Sequence, residues 1–190
     1  AKVYFDTGAL VKLYIVESGS AYVERKARAA SLIPLNQLQE TELRNAIHAA
    51  VGRKTIPAAA GALALEHLDS DLRSGVLATT SIDWGTTWTR AAHLARLHTT
   101  KILCRTLDIL HVAAAESCGC DLFVTGDERQ FRLCKAVGVP VARVQPLISQ
   151  SKTPKGDGAP RLSLGAATAS RPYLGFSIRG HLLVFAGCSQ

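Results

Sequence analysis

The sequence predicts an α/β fold in which helices cover both faces of a parallel sheet. Two observations carry this prediction. Short strand-like segments alternate with longer helical patterns, and the strand-like segments, such as the LFVT that precedes Gly126, are apolar throughout rather than alternately polar. Alternating strands and helices are typical of parallel sheets, and continuously apolar strands are typical of sheets that are buried on both faces.

The first half of the chain is predicted to contain two strands and four helices. VYFD is a β-prone run that ends at a polar turn, and SLIPL is a second apolar run. Leu43, Ile47 and Val51 form an apolar stripe at helical spacing. Pro57 suits the first turn of a further helix, which Gly75 ends. The predicted order is a strand at 3–6, helices at 9–16 and 18–30, a strand at 31–35, and helices at 39–54 and 57–73.

The second half of the chain continues the alternation. VLATTS and DLFVT are strand-like, and VARV after Pro140 makes a plausible fifth strand. The largely apolar helical pattern that begins at Leu107 is bounded by Gly119. The predicted order is a strand at 76–81, helices at 84–98 and 107–118, a strand at 121–125, a helix at 127–137 and a strand at 141–144.

The composition predicts one domain followed by a tail. A chain of 190 residues with 47% hydrophobic residues can bury one core and does not require a second. We expect residues 1–148 to form this domain. Residues 149–190 are rich in Pro, Gly, Ser and Ala and lack a long periodic pattern, which predicts an irregular, basic C-terminal tail that is disordered or loosely docked.

Charge and cysteine content narrow the class of protein. The net charge is +7, but residues 1–150 hold 17 Lys and Arg against 14 Asp and Glu, so the domain itself supports a polyanionic partner only weakly. The five cysteines have no zinc-site spacing, which predicts reduced thiols. Asp6 interrupts the segment where a signal peptide needs an apolar stretch, and no run approaches a membrane span. We therefore expect a soluble, cytoplasmic protein with no membrane partner.

Four acidic residues are predicted to meet at one edge of the sheet: Asp6, Glu42, Asp108 and Asp127. Taken singly, each has a simpler explanation as a helix cap or as part of a solvated helix face. Together they favour a shared site, because the carboxyl ends of parallel strands form the usual ligand site of such sheets. Two carboxylates about 5 Å apart repel by roughly 3 kcal/mol at an effective dielectric constant near 20, so a shared site requires a cation.

The ligand type indicates which cation would bind. Carboxylate oxygens without clustered His or Cys favour Mg²⁺ or Mn²⁺ over zinc. Sites of this kind suit phosphodiester hydrolysis, since the ion activates a water molecule and stabilises the leaving oxygen. The sequence therefore predicts a metal-dependent enzyme that acts on phosphodiesters.

Four segments, in this order, resemble the PIN-domain family, specifically the VapC-like ribonuclease toxins of toxin–antitoxin modules. The segments are VYFDTGALVKLY, ETELRNAI, RTLDILHVAAA and LFVTGDERQF. The resemblance spans residues 1 to about 148. It implies a three-layer α/β/α sandwich with a central parallel sheet, a Mg²⁺ or Mn²⁺ site, and endonucleolytic cleavage of RNA. It also implies a cognate antitoxin protein as partner and a homodimer.

The resemblance assigns roles to individual residues. Asp6, Glu42, Asp108 and Asp127 match the catalytic, metal-binding acids. Two roles stay open for Glu42: ligation of a second ion, or positioning and deprotonating the water. The hydroxyl positions of the family match Thr7 and Thr125, which would bind the outer shell of the metal or orient Asp127. Gly8 is a departure, since the family usually has Ser or Asn there.

Other polar and aromatic residues invite weaker interpretations. Four cations flank the acidic motifs and could contact RNA phosphates, although solvated surface charge is the simpler explanation: Lys12, Arg105, Arg129 and Arg132. Of these, Lys12 and Arg105 are the two proposed as RNA contacts. His111 shares a helix face with Asp108, and its apolar neighbours favour a buried, hydrogen-bonded histidine. Trp88 and Phe131 are candidate stacking platforms for bases, whereas Phe123 is expected in the core.

Two other functions compete with the nuclease. Asp6 would serve as a covalent nucleophile in a phosphatase or receiver domain, but Gly8 stands where a haloacid-dehalogenase-type site needs a second Asp, and a receiver would need a further acidic pair. The remaining alternative is a catalytically silent PIN-like module that binds RNA or protein and uses its acids only as helix caps.

Overall fold

The computed structural model describes residues 1–145, in which five short strands alternate with seven helices. The strands are β1 (Val3–Phe5), β2 (Pro34–Leu35), β3 (Ala78–Thr79), β4 (Leu122–Thr125) and β5 (Val141–Arg143). The helices are α1 (Thr7–Val11), α2 (Ser20–Ala29), α3 (Gln37–Gly52), α4 (Ala58–Arg73), α5 (Trp84–Ile102), α6 (Thr106–Ser117) and α7 (Glu128–Val137).

Every strand pairing in this part of the chain is parallel. β4 lies between β1 and β5, and β2 pairs with β3. An isolated parallel bridge between Lys2 and Leu32 joins the two groups, and the amide N–H of Val3 donates to the carbonyl of Leu32 at 2.9 Å. The strands therefore follow one another in the order β3, β2, β1, β4 and β5, with a weak junction between β2 and β1.

Two separate apolar clusters cover the two faces of the sheet. Phe5 and Val124 point to one face, where they pack with residues of α1, α2, α3 and α4. Tyr4 and Phe123 point to the other, where they pack with residues of α5, α6 and α7. Neighbouring strand residues thus alternate between the clusters, as the pleat requires. This arrangement confirms the predicted three-layer α/β/α fold and the core position of Phe123.

The element boundaries differ from the predicted ones where side chains cap the helices. α1 begins at Thr7 because Asp6 accepts from the N–H of Ala9. α3 begins at Gln37 because Asn36 and Gln39 form a reciprocal capping box. The buried Gln39 also donates to the carbonyl of Phe5 at 2.8 Å, which ties the start of α3 to the end of β1.

The described residues test three further predictions only in part: the state of the cysteines, the tail with its domain boundary, and the lack of a membrane span. Cys104, Cys118, Cys120 and Cys134 are free thiols, as predicted, whereas Cys188 lies outside the described residues. The same is true of the predicted tail at 149–190 and of the domain boundary at 148. Among residues 1–145, no helix combines the length and the apolar character that crossing a membrane requires.

Candidate active site

A cleft of about 470 Å³ opens at the edge of the sheet where β1 and β4 end. All four acids singled out by the sequence line it, and they come from distant parts of the chain. The acidic and hydroxyl residues of its lining are Asp6, Thr7, Glu17, Glu42, Asp108 and Asp127. Parallel strands bring their carboxyl ends to the same edge, so residues that directly follow β1 and β4 meet here.

Asp6 is the most deeply buried of these acids, with 4% of its surface exposed. One carboxylate oxygen, Oδ1, accepts from the amide of Ala9 at 2.6 Å, and the other accepts from the hydroxyl of Thr125. Burial raises the pKa of Asp6, although these two hydrogen bonds and the nearby His111 oppose the shift. Asp6 is therefore a carboxylate whose charge is costly until a cation or a proton compensates it.

The hydroxyl of Thr125 connects two of the acids. It accepts from the amide N–H of Asp127 at 2.9 Å and donates to Asp6. It also lies 2.9 Å from Oε1 of Gln130, whose Nε2 is 3.5 Å from Oδ1 of Asp108. Gln130 was missed by the sequence analysis. Its position in the first turn of the helix that follows Asp127 is the signal that would have found it.

Two donors hold Glu42 in the cleft. Its Oε2 accepts from the hydroxyl of Thr7 at 2.5 Å and lies 2.6 Å from Nε2 of His111. The other ring nitrogen of His111 is 3.0 Å from the hydroxyl of Tyr4, to which the amide of Asn36 donates at 3.4 Å. In this series of hydrogen bonds, the hydroxyl of Tyr4 donates to Nδ1 of His111 and Nε2 of His111 donates to Glu42. The directions fit the tautomer of His111 that carries its proton on Nε2.

These contacts determine the charge of Glu42. Burial by itself would raise the pKa of Glu42, but the hydrogen bond and electrostatic attraction of His111 and the hydroxyl of Thr7 lower it overall. His111 is 3% exposed, which confirms the prediction of a buried, hydrogen-bonded histidine. Tyr4 was not singled out by the sequence. The alternation of β1 places it on the same sheet face as α6, which carries His111.

Asp108 and Asp127 also act as helix caps. Asp127 accepts from the amides of Arg129 at 2.7 Å and Gln130 at 3.1 Å, and Asp108 accepts from the amide of Arg105 at 2.9 Å. With Asp6, three of the four acids thus satisfy backbone donors at helix N-termini. The capping explanation is correct for each of them, yet it does not explain why all three caps open onto one cleft.

The rim of the cleft carries one of the two basic residues proposed as RNA contacts. Lys12 lines the cleft and forms an ion pair with Glu17 at 2.5 Å. Arg105 is exposed at the start of α6, outside the cleft lining. Gly8 lines the cleft, and a Cβ built there would lie 3.6 Å from Oδ1 of Asp6, an ordinary contact. A Cβ atom at position 8 is therefore tolerated without a clash.

The donors of the cleft suit a hard divalent cation, since they are carboxylate and hydroxyl oxygens. In the part of the chain that the structure describes, no three His, Cys, Asp or Glu side chains are gathered closely enough to hold an ion by themselves. Mg²⁺ is commonly held by one or two carboxylates together with several waters. The residues therefore fit Mg²⁺ or Mn²⁺ provided that water completes the coordination.

Comparisons with known proteins agree with this geometry. The model of the PIN domain family matches residues 3–136, a span that includes all four acids of the cleft. None of the curated proteins compared with the chain matches it. PIN domains are generally nucleases and typically use divalent metal ions. With most of its length matched and an acid-lined cleft at the edge of its parallel sheet, the chain belongs to the PIN domain family.

Proposed function

We propose that the chain is an endoribonuclease that depends on Mg²⁺ or Mn²⁺ and acts as the toxin of a toxin–antitoxin pair. The observation that supports this most is the convergence of four acids from the end of β1, from α3, from α6 and from the start of α7 on one cleft. Local capping does not require that convergence, whereas binding a cation does. The order of the four motifs supports the VapC-like subtype, its antitoxin partner, the homodimer and action in the cytoplasm.

Asp6, Asp108 and Asp127 are the residues that would hold the cation. When bound, a divalent cation supplies Lewis acidity, by which a water molecule becomes a nucleophile at neutral pH and charge on the phosphate is stabilised. The protein orients all three carboxylates by its own hydrogen bonds. Ala9 and Thr125 donate to Asp6, the backbone of Arg105 and the side chain of Gln130 donate to Asp108, and the amides of Arg129 and Gln130 donate to Asp127. Such supporting bonds to ligands are commonly needed for metal affinity.

Glu42 is proposed to hold a second ion or to position the attacking water. Its lowered pKa makes it a weak proton acceptor near neutral pH, which argues against the alternative of deprotonating the water. Thr7 and His111 both act on Oε2 of Glu42. They keep this carboxylate ionised and fix its orientation.

The substrate is proposed to reach the cleft past Lys12 and Arg105. The ion pair of Lys12 with Glu17 does not prevent this, because the pair lies at the rim and Glu17 is 46% exposed. Such partly exposed pairs contribute at most about 1 kcal/mol, which a phosphate group of RNA offsets readily. Arg105 has no carboxylate partner among residues 1–145.

The nuclease proposal is tested by incubating purified full-length protein with a panel of structured RNAs and matched DNAs. Mg²⁺ or Mn²⁺ should support discrete cuts in RNA, and EDTA or the substitution Asp108→Asn should abolish them. Glu66→Gln removes a carboxylate on α4, away from the cleft lining, and should leave cleavage intact. Induced expression of the wild-type chain in a bacterial host should arrest growth, and expression of the Asp108→Asn variant should not.

One specific observation favours the catalytically silent module instead, namely that three of the acids cap helices and no three of them are gathered around one point. Calorimetric titration with Mn²⁺ separates the two functions. Binding in the wild type that is lost in Asp6→Asn supports the enzyme. An absence of both Mn²⁺ binding and RNA cleavage would favour the silent module.

A further inference from the structure

A second groove, of about 560 Å³, lies between the end of α5 and the outer face of α7. We call it the basic groove and define it by His98, Lys101, Ile102, Phe131, Arg132 and Lys135. In the part of the chain that the structure describes, none of its lining residues is acidic, whereas the active-site cleft is lined by five carboxylates. The groove is therefore strongly positive although the domain as a whole is close to neutral.

The cations of the basic groove have no carboxylate partner in the described part of the chain. Lys12, Arg44, Arg90 and Arg143 each form an ion pair at 2.9 Å or less elsewhere on the surface. Among residues 1–145, no ion pair involves Lys101, Arg132 or Lys135. Their charge is therefore available to an outside anion at no cost of breaking an existing pair.

An aromatic ring organises the groove. The Nζ of Lys135 and the guanidinium carbon of Arg143 both lie 5.8 Å from the centroid of the Phe131 ring, within the range of a cation–π contact. Arg132 reaches across to α5, where its Nη2 is 3.4 Å from the carbonyl of Lys101. These contacts hold the positive groups near one another despite their mutual repulsion.

The basic groove and the active-site cleft are both lined by residues of α7. α7 begins directly after Asp127, and Lys135 is eight residues further on, a rise of about 12 Å along the helix axis. Arg129 and Arg132 are three residues apart and lie on neighbouring turns of α7. Burial raises the pKa of the Cys104 thiol most. The charges of Asp108 and Asp127 raise it further, whereas those of Arg129 and Arg132 lower it, so acids of the cleft and arginines of α7 both lie near this thiol.

We propose that the basic groove binds the sugar–phosphate backbone of the RNA substrate next to the segment being cleaved. This inference rests on the nuclease proposed above. An acid-lined cleft repels a polyanion in the absence of metal, so affinity for RNA has to come from cations outside the cleft. The basic groove supplies them beside the cleft, and its unpaired lysines and arginines suit phosphates, which carry charge without sequence information.

Stabilisation of helix ends explains only part of this cluster. Lys101 and Lys135 lie in the last turns of α5 and α7, where a cation stabilises the helix dipole. Arg132 lies in the middle of α7, where the dipole gives it no such role. An acidic segment of a protein partner would suit the same charges, and the experiment below distinguishes it from RNA.

The test is the salt dependence of RNA binding by the full-length chain in EDTA, with Asp108→Asn present in every protein so that no substrate is cut. Fluorescence anisotropy with a labelled single-stranded RNA gives the Kd at a series of KCl concentrations from about 50 to 300 mM, a range in which phosphate contacts weaken measurably. The groove variant carries Lys101→Gln, Arg132→Gln and Lys135→Gln. The matched control carries Arg53→Gln, Lys54→Gln and Arg73→Gln, which remove the same charge from exposed positions around α3 and α4.

Loss of three phosphate contacts on a single strand should reduce the slope of log K against log salt by about 2. We expect this reduction, with at least tenfold weaker binding at the lowest salt, in the groove variant and not in the control. Equal slopes in the two variants would overturn the proposal and leave an acidic protein segment as the better occupant. Thermal unfolding of both variants confirms that the fold is retained.

The experiments distinguish a wrong proposal about RNA binding by the groove from a wrong proposal about nuclease activity. In proteins that keep Asp108, the groove variant should show a raised KM for RNA cleavage with little change in kcat. Cleavage by the wild type together with equal salt slopes would overturn the groove alone. An absence of metal-dependent cleavage in the wild type would overturn the nuclease, whatever the slopes.

Discussion

At the scale of single residues, the acids of this cleft do two things at once. Asp6 and Asp127 cap the helices that follow β1 and β4, and Asp108 accepts from the backbone at the start of α6. Capping fixes each carboxylate at a helix N-terminus, where partial positive charge offsets part of its repulsion from the others. The structural role therefore favours the site, because it keeps anionic groups together in the absence of an ion.

Asp6 provides a test of this balance in the metal-free protein. Because burial raises its pKa, the folded state binds a proton more tightly than the unfolded state does, and stability falls as pH rises from the ordinary Asp pKa through the raised value. Asp6→Asn should remove that cost while keeping a partner for Thr125. We expect a higher unfolding midpoint in EDTA at pH 7.5, by roughly 2–4 °C for each 1 kcal/mol gained.

The control for this prediction is the pH dependence itself. At about pH 4.5, nearer the ordinary Asp pKa of about 3.9, more of the wild-type Asp6 is protonated, so the gain from Asp6→Asn should shrink. A gain that is the same at both pH values, or a loss of stability at pH 7.5, would show that Asp6 acts in the metal-free protein mainly as a cap.

Tyr4 tests the buried network behind Glu42. Tyr4→Phe removes the hydroxyl that lies between His111 and Asn36, so the ring nitrogen of His111 loses its buried donor. An unsatisfied buried polar group costs about 1–3 kcal/mol, and we expect the free energy of unfolding, measured with urea, to fall by that amount. Tyr22→Phe is the matched control, since Tyr22 is only partly buried and its hydroxyl has no hydrogen-bond partner among residues 1–145. A loss no larger than that of the control would contradict the prediction.

At the scale of secondary-structure elements, α6 explains how the site is positioned. Seven consecutive residues of this helix, 109–115, are buried, so α6 is enclosed on nearly all sides by α5, α7 and the sheet. Asp108 and His111 lie three residues apart on one face of it, where they reach the cleft. A helix this enclosed holds both side chains rigidly, which suits a site that must keep carboxylates in place.

The pairing of α3 with α4 gives a prediction about close packing. A Cβ at Gly61 on α4 would lie 2.3 Å from Cγ2 of Val51 on α3. Gly61→Ala should therefore lower the free energy of unfolding by about 1–2 kcal/mol, because the clash outweighs the gain of about 1 kcal/mol in helix propensity. The measurement is urea unfolding of a double-mutant cycle with Val51→Ala.

The Val51→Ala background shows whether the clash with Val51 causes the loss of stability. In the Val51→Ala background the clash is gone, so Gly61→Ala should be neutral or stabilising, with a coupling energy of about 0.5–3 kcal/mol. Gly52→Ala at the end of α3 is the control, since nothing lies within 4 Å of its Cβ position. Additive effects of the two substitutions would show that α4 moves to accept the methyl group.

At the scale of the whole molecule, the sheet separates two kinds of surface. Its C-terminal edge gathers acids from four distant segments, while the outer face of α7 gathers cations. The proposed metal-dependent nuclease would use both surfaces, since the acids would hold the ion and the cations would attract the polyanion. The net charge of the whole chain reveals neither the acidic cleft nor the basic groove.

The predicted domain boundary is testable at this scale. Both apolar clusters lie within residues 1–145, and Val144 packs against the first of them. A chain that ends at residue 148 should therefore unfold cooperatively, with a midpoint within about 3 °C of the full-length protein, roughly 1 kcal/mol for a domain of this size. Loss of a cooperative transition in thermal unfolding followed by circular dichroism would mean that residues beyond 148 belong to the core.

The fold was largely predictable from the sequence, because its signals are local. Apolar runs such as that ending at Thr125 and the helical stripe that includes Leu43 and Ile47 depend only on neighbours along the chain. Helix ends were predicted less well, as at Gln37, because a cap depends on where one side chain points. The positions of Asp6 and Asp127 were predictable because both lie just past the carboxyl ends of strands in a parallel sheet. Glu42 and Asp108 lie in helices, and their place in the set came from the order of the sequence motifs.

By itself, the amino-acid sequence determined the α/β class, the order of the elements and the acids that meet at the sheet edge. Only the tertiary structure decided which neutral groups hold those acids, since His111 contacts Glu42 across 69 residues of chain and Gln130 contacts Asp108 across 22. Tyr4 contacts His111, and Asn36 contacts Tyr4, so both act on Glu42 only through that histidine. It also decided that Arg132 and Lys101 share one groove. The physical reason is that hydrogen bonds and charge interactions depend on distances in space, which the packing of whole helices sets.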